Sequence, residues 1–90
     1  MPYFAVTCRD KPDALPVRME NRAAHLAYVE ETGAVFIGGP LLEDGQMAGS
    51  MLVLDVADLD AAKAWAAADP YAKAGLFGSV TINEWKKVIG

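Results

Sequence analysis

Hydrophobic positions in the first half of the chain form one strand-like run and one helix-like run. The segment from Tyr3 to Cys8 is rich in aromatic and β-branched residues, which is typical of a β-strand. The segment from Val17 to Thr32 contains no glycine or proline, and Gly33 follows it as a suitable residue for ending a helix. Residues 9–16 between them carry prolines and predict a loop. At 100° per residue, the apolar positions of the helical segment predict an amphipathic helix with this buried stripe: Met19, Ala23, Leu26 and Val29.

A second strand and a hairpin are predicted next. The run AVFIGG is apolar and meets glycine and proline at residues 38–40, where we expect the strand to end. Asp44 and Gly45 form a pair that is typical of a hairpin turn. The third strand, from Ser50 to Val56, is therefore expected to run antiparallel to the second.

The last third of the chain predicts a second helix and a final strand. Asp58 is a suitable N-cap for an alanine-rich helix that runs to about Ala68. The final strand is expected from about Gly78, within the sequence LFGSVTINEWKKV. The order βαββαβ predicts an α+β, ferredoxin-like sandwich in a single domain spanning residues 1–90. Its four-stranded antiparallel sheet would carry two helices on one face.

The other face of such a sheet is left uncovered by the helices. The third strand is apolar on both sides, with Leu52 and Leu54 facing one way and Met51 and Val53 the other. An exposed apolar surface of several hundred Å² is rare on a monomer. We therefore predict a homodimer joined through this face or its edges. The alternative is a partly hydrated face that carries polar residues, namely Thr7, Asp55, Thr81 and Asn83.

Charge and composition exclude several classes of protein. The 90 residues have a formal net charge of −4, and the basic residues are scattered, so no nucleic-acid binding is expected. No window approaches the ~18 uninterrupted apolar residues of a membrane span, so no membrane association is predicted. The first residues lead into a strand-like run without a basic flank or cleavage site, so no signal peptide is predicted. Cys8 is the single cysteine, which excludes an internal disulfide and indicates a reducing, cytoplasmic environment.

The single histidine, His25, lies in the predicted first helix at the edge of its apolar stripe. Arg22 precedes it by three residues and is its neighbour on the helix surface. The structural interpretation is a boundary histidine with one nitrogen in water. The functional interpretation is a general base, which requires a partner that orients the imidazole.

The sequence Asp69-Pro70-Tyr71 interrupts the alanine-rich second helix. A residue that precedes proline is disfavoured in the α region, so the helix is expected to end near Ala68. Asp69 can also cap a short following helix with Pro70 at its first position. The same carboxylate, fixed at a helix start, is a candidate to accept a hydrogen bond from an imidazole and to hold one tautomer as a base. The sequence leaves both interpretations open.

Other residues are candidates for a binding pocket or for a structural role. The stretch Gly38-Gly39-Pro40 either ends a strand or forms a pocket lip, and Ser50 is either a turn hydroxyl or a hydrogen-bond donor to substrate. Cys8, in the middle of a strand, predicts a buried, unreactive thiol. The chain contains no nucleophile elbow, phosphate loop or dinucleotide motif. One histidine, one cysteine and scattered acids show no metal-ligand spacing, so neither a metal nor a cofactor is predicted.

Taken together, these motifs resemble the YciI-like family, the family of the YCII-related domain. The resemblance covers nearly the whole chain and is carried by the strand at residues 3–8 and by RAAHLAYVEETG, GGPLLEDG, GSMLVLDV and DPYAKAGLF. It implies a dimeric α/β barrel of ferredoxin-like subunits and an active site built on a His–Asp dyad, here His25 and Asp69. It also implies Arg22 and Ser50 as pocket residues, and we predict Gly39, Pro40 and Tyr71 as further substrate-binding residues.

The resemblance also implies a type of reaction. The wider superfamily includes muconolactone isomerases, and the family includes a dehydrochlorinase that acts on chlorinated hydroxyquinols. This chain departs from the family pattern near its C-terminus, where Glu84 stands in place of a proline or basic residue before Trp85. That departure concerns the part of the pocket that would select the substrate.

We therefore predict a cofactor-independent lyase or isomerase that acts on a small anionic, aromatic or enolic metabolite. A neutral imidazole with a pKa near ~6.5 is suited to take a proton at neutral pH and contributes about a hundred- to ten-thousand-fold to a rate. Arg22 would favour an anionic or phenolic substrate. One alternative is a module that binds a small molecule in the same pocket without converting it. Another is a purely structural role for His25 and Asp69.

Overall fold

The computed structural model describes residues 2–90, which form a four-stranded antiparallel sheet with helices packed on one face. The strands lie in the order β2-β3-β1-β4. The ferredoxin-like prediction is confirmed, and the short helix that Asp69 was expected to cap lies between the second helix and the last strand. The elements in chain order are β1 (Tyr3–Asp10), α1 (Leu15–Thr32), β2 (Val35–Glu43), β3 (Gln46–Asp55), α2 (Leu59–Ala68), α3 (Pro70–Lys73) and β4 (Phe77–Trp85).

The core lies between the sheet and the helices. Strand β1 alternates as expected, because Phe4, Val6 and Cys8 are buried while the residues between them are only half-buried. Leu52 and Leu54 of β3 lie on the same face and join them. Helix α2 closes the cluster with Ala62 and Trp65.

The buried face of α1 differs from the predicted apolar stripe. Met19 and Leu26 are 54% and 47% exposed, whereas Arg18 and His25 are only 2% and 7% exposed. The prediction was wrong because it assumed that the sheet-facing side of the helix must be apolar. Polar side chains can be buried when their hydrogen-bonding groups are paired, and both of these residues have partners on other elements.

Helix α1 also begins earlier than expected, at Leu15 instead of Val17. Pro16 falls within its first turn, where a missing backbone N–H breaks no intrahelical hydrogen bond. The predicted loop is correspondingly shorter, since β1 continues to Asp10. Gly33 ends α1 in the left-handed conformation, as predicted.

Strand β2 does not end at Gly38-Gly39-Pro40, as the sequence had suggested, but continues through these residues to Glu43. Neither glycine has a positive φ, so the chain stays extended there. Pro40 is tolerated because β2 is an edge strand that pairs only with β3. Strand β3 also starts earlier than predicted, at Gln46, because it pairs with the longer β2 as far as the hairpin turn. Ser50 therefore lies in the middle of a strand. The predicted hairpin turn is confirmed, with Asp44 and Gly45 at φ 50° and 78°.

The helix signals around Asp58 and Asp69 are confirmed. Asp58 caps α2 by accepting a hydrogen bond from the backbone N–H of Ala61. Helix α2 ends at Ala68, and Asp69 caps α3 with Pro70 at its start. Strand β4 follows and begins at Phe77, one residue before the predicted Gly78.

The sheet face away from the helices carries an aromatic cluster. The Tyr3 ring lies 4.8 Å from the ring of Phe36 and 6.0 Å from that of Trp85. Phe36 and Trp85 remain 42% and 36% exposed, and Met51 on the same face is 38% exposed. Within residues 2–90, no helix is both long and apolar enough to cross a bilayer.

Candidate active site

His25 and Asp69 meet on the helix-covered side of the sheet. Nδ1 of His25 lies 2.8 Å from Oδ1 of Asp69, and both side chains are buried. An ionised carboxylate can only accept hydrogen bonds, so in this pairing Nδ1 carries the proton. The lone pair of the neutral ring is then on Nε2, the nitrogen that a base would use.

Asp69 is held at the start of α3. Its Oδ1 also accepts a hydrogen bond of 2.9 Å from the backbone N–H of Tyr71, which is the capping interaction expected from the sequence. One oxygen therefore serves both as the helix cap and as the partner of the imidazole. The predicted helix cap is confirmed and the same oxygen contacts the imidazole, while a role of this contact in catalysis stays a prediction.

The Tyr71 ring restrains the plane of the imidazole by stacking against it. The rings of His25 and Tyr71 stack at 4.1 Å with an angle of 12° between their planes. Burial raises the pKa of the Tyr71 hydroxyl above its ordinary value; the positive charges of Arg18 and Arg22 oppose that rise, and the Asp69 carboxylate adds to it. Tyr71 is therefore a neutral phenol at physiological pH.

A cavity of about 130 Å³ opens beside this pair, between α1 and the strands β2 and β3. Among residues 2–90, every fully buried side-chain nitrogen or oxygen has a hydrogen-bond partner. Nε2 of His25 has no such partner, so this nitrogen keeps access to the cavity that the ring lines. The apolar part of the lining consists of Leu26, Val29, Val35, Met47 and Leu52.

Most of the residues predicted for a pocket line this cavity. Its wall includes His25 together with Arg22, Ser50, Gly39, Pro40 and Tyr71. Asp69 stands behind the imidazole and is not part of the wall. The Gly38-Gly39-Pro40 stretch is thus a cavity wall as well as part of a strand. A Cβ atom on Gly38 would overlap Cδ2 of Leu52, so the Leu52 side chain would have to shift if a larger residue stood here.

Arg18 is a cavity residue that the sequence interpretation missed. It donates two hydrogen bonds to Asp10, from Nε at 2.8 Å and from Nη2 at 2.9 Å. Nη2 also donates to Oγ of Ser50 at 2.9 Å, and the guanidinium lies 4.7 Å above the Tyr71 ring. Arg18 precedes His25 by seven residues, the spacing of two helix turns, and that spacing was the signal available in the sequence.

The electrostatics of Arg18 follow from its partner. Burial alone would lower the pKa of the guanidinium, but the hydrogen bonds and negative charge of Asp10 outweigh it, and the net pKa is raised. The Asp10–Arg18 pair is buried, with side chains 5% and 3% exposed. Arg18 therefore remains a cation whose charge is balanced inside the protein.

Cys8 packs beside the site without lining the cavity. Burial raises the pKa of its thiol to about 12, and the negative charge of Asp69 acts in the same direction. This agrees with the expected buried, unreactive thiol. No cluster of three or more histidine, cysteine or acidic side chains suited to a metal ion occurs in the described part of the chain.

With this geometry established, the family of the chain can be assigned. The model of the YCII-related domain matches residues 2–86. The chain belongs to the YCII-related domain family. The family resemblance inferred from the motifs is thereby confirmed.

Two sequence relatives of this YCII-related domain match it nearly end to end. It is 35% identical to Protein YciI of Escherichia coli O6:H1, across 94% of this chain and 97% of that protein. It is 32% identical to an uncharacterized protein of Haemophilus influenzae, across 96% of this chain and 98% of that protein.

A solved structure with a similar fold is TftG, the 5-chloro-2-hydroxyhydroquinone dehydrochlorinase of Burkholderia phenoliruptrix AC1100, in complex with 2,5-dihydroxybenzoquinone. The two proteins are 36% identical, the match covers 93% of each chain, and the TM-score is 0.87. The ferredoxin-like architecture of this YCII-related domain is thus shared with that enzyme.

Proposed function

We propose that this protein is a cofactor-independent lyase or isomerase that acts on a small anionic, aromatic or enolic metabolite. His25 is its general base, and Asp69 orients the imidazole. The observation that carries the proposal is the 2.8 Å contact between Nδ1 of His25 and Asp69, which leaves Nε2 with access to the cavity.

The Asp69 contact equips the imidazole for proton transfer. It fixes the tautomer whose lone pair is on Nε2, and it stabilises the imidazolium that forms when that nitrogen takes a proton. The stack on Tyr71 keeps the ring plane in place. A base that is positioned in this way contributes about 10² to 10⁴ to a rate.

Arg22 supports an anionic substrate. It lines the cavity, and no carboxylate of residues 2–90 forms an ion pair with it, in contrast to Arg18. An unbalanced guanidinium at a cavity wall attracts an anion and stabilises negative charge that develops during reaction. Gly39, Pro40, Ser50 and Tyr71 are the further residues that we assign to substrate contact.

The similarity to TftG supports the type of reaction. That enzyme is a dehydrochlorinase, and its structure holds a single-ring quinone. In such an elimination the base removes a proton, the electron pair left behind forms a new double bond, and chloride departs with its own electron pair. An isomerisation takes and returns a proton by the same base. Neither reaction needs an external oxidant or reductant.

We also propose that the protein is a homodimer joined through the sheet face that carries Tyr3, Phe36 and Trp85. The support is the partial exposure of these rings together with Met51 on a face that no helix covers. Sedimentation equilibrium tests this proposal: the mass of two chains is expected, and a Phe36→Glu variant should shift it towards one. A wild-type mass of one chain would contradict it.

The free Cys8 supports our assignment to the cytoplasm.

The test of the proposed reaction uses 5-chloro-2-hydroxyhydroquinone as substrate. Chloride release is followed by ion chromatography, and the ring product is followed by mass spectrometry. We expect turnover by the wild type and a loss of at least about a hundredfold in His25→Gln, with circular dichroism showing that the variant is folded.

Two outcomes would contradict the proposal. Equal turnover by the wild type and His25→Gln would show that His25 is not the general base. Recovery of tightly bound, unchanged compound after long incubation would favour the alternative, a module that binds the metabolite without converting it.

A further inference from the structure

The guanidinium of Arg18 has donors to spare on the cavity side. Its Nε and Nη2 hydrogens are taken by Asp10 and by Ser50 Oγ. A further hydrogen bond joins the guanidinium to the Tyr71 hydroxyl, which takes one of the two hydrogens of Nη1. The other Nη1 hydrogen is left for a ligand in the cavity that Arg18 lines, although the side chain as a whole is only 3% exposed.

The hydroxyl group of Ser50 has its direction set by Arg18. A serine hydroxyl has one proton and can accept through its oxygen. In this structure the oxygen accepts from Nη2 of Arg18 at 2.9 Å, and no described residue accepts the hydroxyl proton. Ser50 is 3% exposed and lines the cavity, so the proton is available to a ligand in the cavity.

We propose that Ser50 and Arg18 form an oxyanion subsite that binds the ionised ring oxygen of the substrate. The Ser50 hydroxyl and the Arg18 Nη1 group donate to that oxygen, and Asp10 is a positioning residue that holds the guanidinium. The inference rests on the proposed function, because it assigns a substrate to the same cavity.

The charges of the site narrow the substrate class. Asp10 balances Arg18, and Asp69 balances His25 once the imidazole has taken the proton of the substrate, so at that stage Arg22 is the one cation of the wall without an ionic partner in residues 2–90. One unbalanced cation matches one negative charge. The subsite therefore favours a ring oxygen that carries a single charge, an enolate or a phenolate, over a phosphate ester, which concentrates two charges on one group.

Chain geometry explains why the subsite is rigid. Ser50 lies in the middle of β3, where it pairs with Cys8 of β1 and Pro40 of β2. Arg18 is fixed by two parallel hydrogen bonds to one carboxylate, an arrangement that restrains the whole guanidinium plane. Both donors are thus held before the substrate arrives, which is what stabilisation of a developing oxyanion requires.

The test measures binding of 2,5-dihydroxybenzoquinone to wild type, Ser50→Ala, Arg18→Lys and the control Ser79→Ala, which removes an exposed hydroxyl from β4. Loss of one hydrogen bond to a charged group predicts about tenfold to a hundredfold weaker binding for Ser50→Ala, and no change for Ser79→Ala. The absorbance of the bound probe gives a second readout, the pH at which it ionises. Wild type is expected to lower that pH relative to the free probe, and Ser50→Ala to raise it again.

The outcomes separate the subsite from the proposed function. If Ser50→Ala matches Ser79→Ala in affinity and in ionisation of the probe, the subsite is wrong, while turnover that depends on His25 would still support the enzyme. If the wild type does not bind the probe, both the oxyanion subsite and the proposed function are overturned. If Arg18→Lys fails to fold, Ser50→Ala decides alone, because it leaves the Asp10–Arg18 pair intact.

Discussion

Oδ1 of Asp69 accepts hydrogen bonds from both Nδ1 of His25, at 2.8 Å, and the backbone N–H of Tyr71, at 2.9 Å. A single carboxylate oxygen therefore joins the long helix α1 to the start of α3 and orients the candidate base. In Asp69→Asn an amide oxygen at the Oδ1 position can still accept both hydrogen bonds, but the negative charge that stabilises the imidazolium is lost.

We expect Asp69→Asn to lower turnover at least about a hundredfold with little loss of stability. Asp58→Asn is the matched control, because Asp58 caps α2 in the same way without contacting the cavity. Steady-state kinetics and thermal unfolding of both variants check the prediction. Equal kinetics in the two variants would show that Asp69 is only a cap.

The buried pair of Asp10 and Arg18 is expected to matter for stability. Asp10→Ala would leave the Arg18 charge buried without a partner, which predicts a loss of about 3 kcal/mol or more in the free energy of unfolding. The exposed pair of Arg9 and Glu43, at 3.1 Å, is the control, and Glu43→Gln should cost under about 1 kcal/mol. Urea unfolding measures both. Losses of similar size would mean that burial of the Asp10–Arg18 pair has no special energetic role.

Cys8 is predicted to be unreactive in the folded protein. Burial raises the pKa of its thiol from 9.0 to about 12, with the charge of Asp69 adding to the effect. Because the thiolate is the reactive form, iodoacetamide at pH 9 should leave the native protein unlabelled and label it fully in guanidinium chloride. Mass spectrometry gives the extent of labelling. Rapid labelling of the native protein would contradict the burial of this side chain.

The same pKa shift predicts a stability change with pH. Above pH 9 the unfolded chain releases the thiol proton while the folded chain retains it up to about 12, so the free energy of the unfolded state falls relative to that of the folded state as the pH rises through this window. Wild type should therefore lose stability from pH 9 to pH 11 with a steeper slope than Cys8→Ala, by up to about 1.4 kcal/mol per pH unit. If the free energy of urea unfolding falls with pH at the same rate in the wild type and in Cys8→Ala, the raised pKa of Cys8 is contradicted.

Gly38 is expected to set the size of the cavity. An alanine there would push Cδ2 of Leu52 towards the space that both residues line, so Gly38→Ala should weaken binding of 2,5-dihydroxybenzoquinone several-fold. In Gly78→Ala the new Cβ would meet its neighbours at 3.7 Å, which is ordinary contact, and binding should be unchanged. Isothermal titration calorimetry with 2,5-dihydroxybenzoquinone measures the affinity of both variants. Equal affinity would show that Leu52 moves elsewhere.

Much of the candidate site could be predicted because its signals are local. The cap at Asp69 follows from the proline after it, and His25 is the single histidine of the chain. The meeting of these two residues was a hypothesis supported by family resemblance, and the structure places them in hydrogen-bond contact. Arg18 was missed because a search for an apolar stripe passes over a charged residue, however well it is compensated in the fold.

The sequence by itself determined the order of the elements, the hairpin at Asp44-Gly45 and the ends of the helices at Gly33 and Ala68. These features depend on backbone sterics and on hydrogen bonds between near neighbours, which the residue types specify directly. Only the tertiary structure decided which side of α1 faces the sheet. That choice depends on whether Arg18 and His25 find partners on β1 and beside α3, because the free energy of burying a polar group is set by contacts between residues distant in the chain.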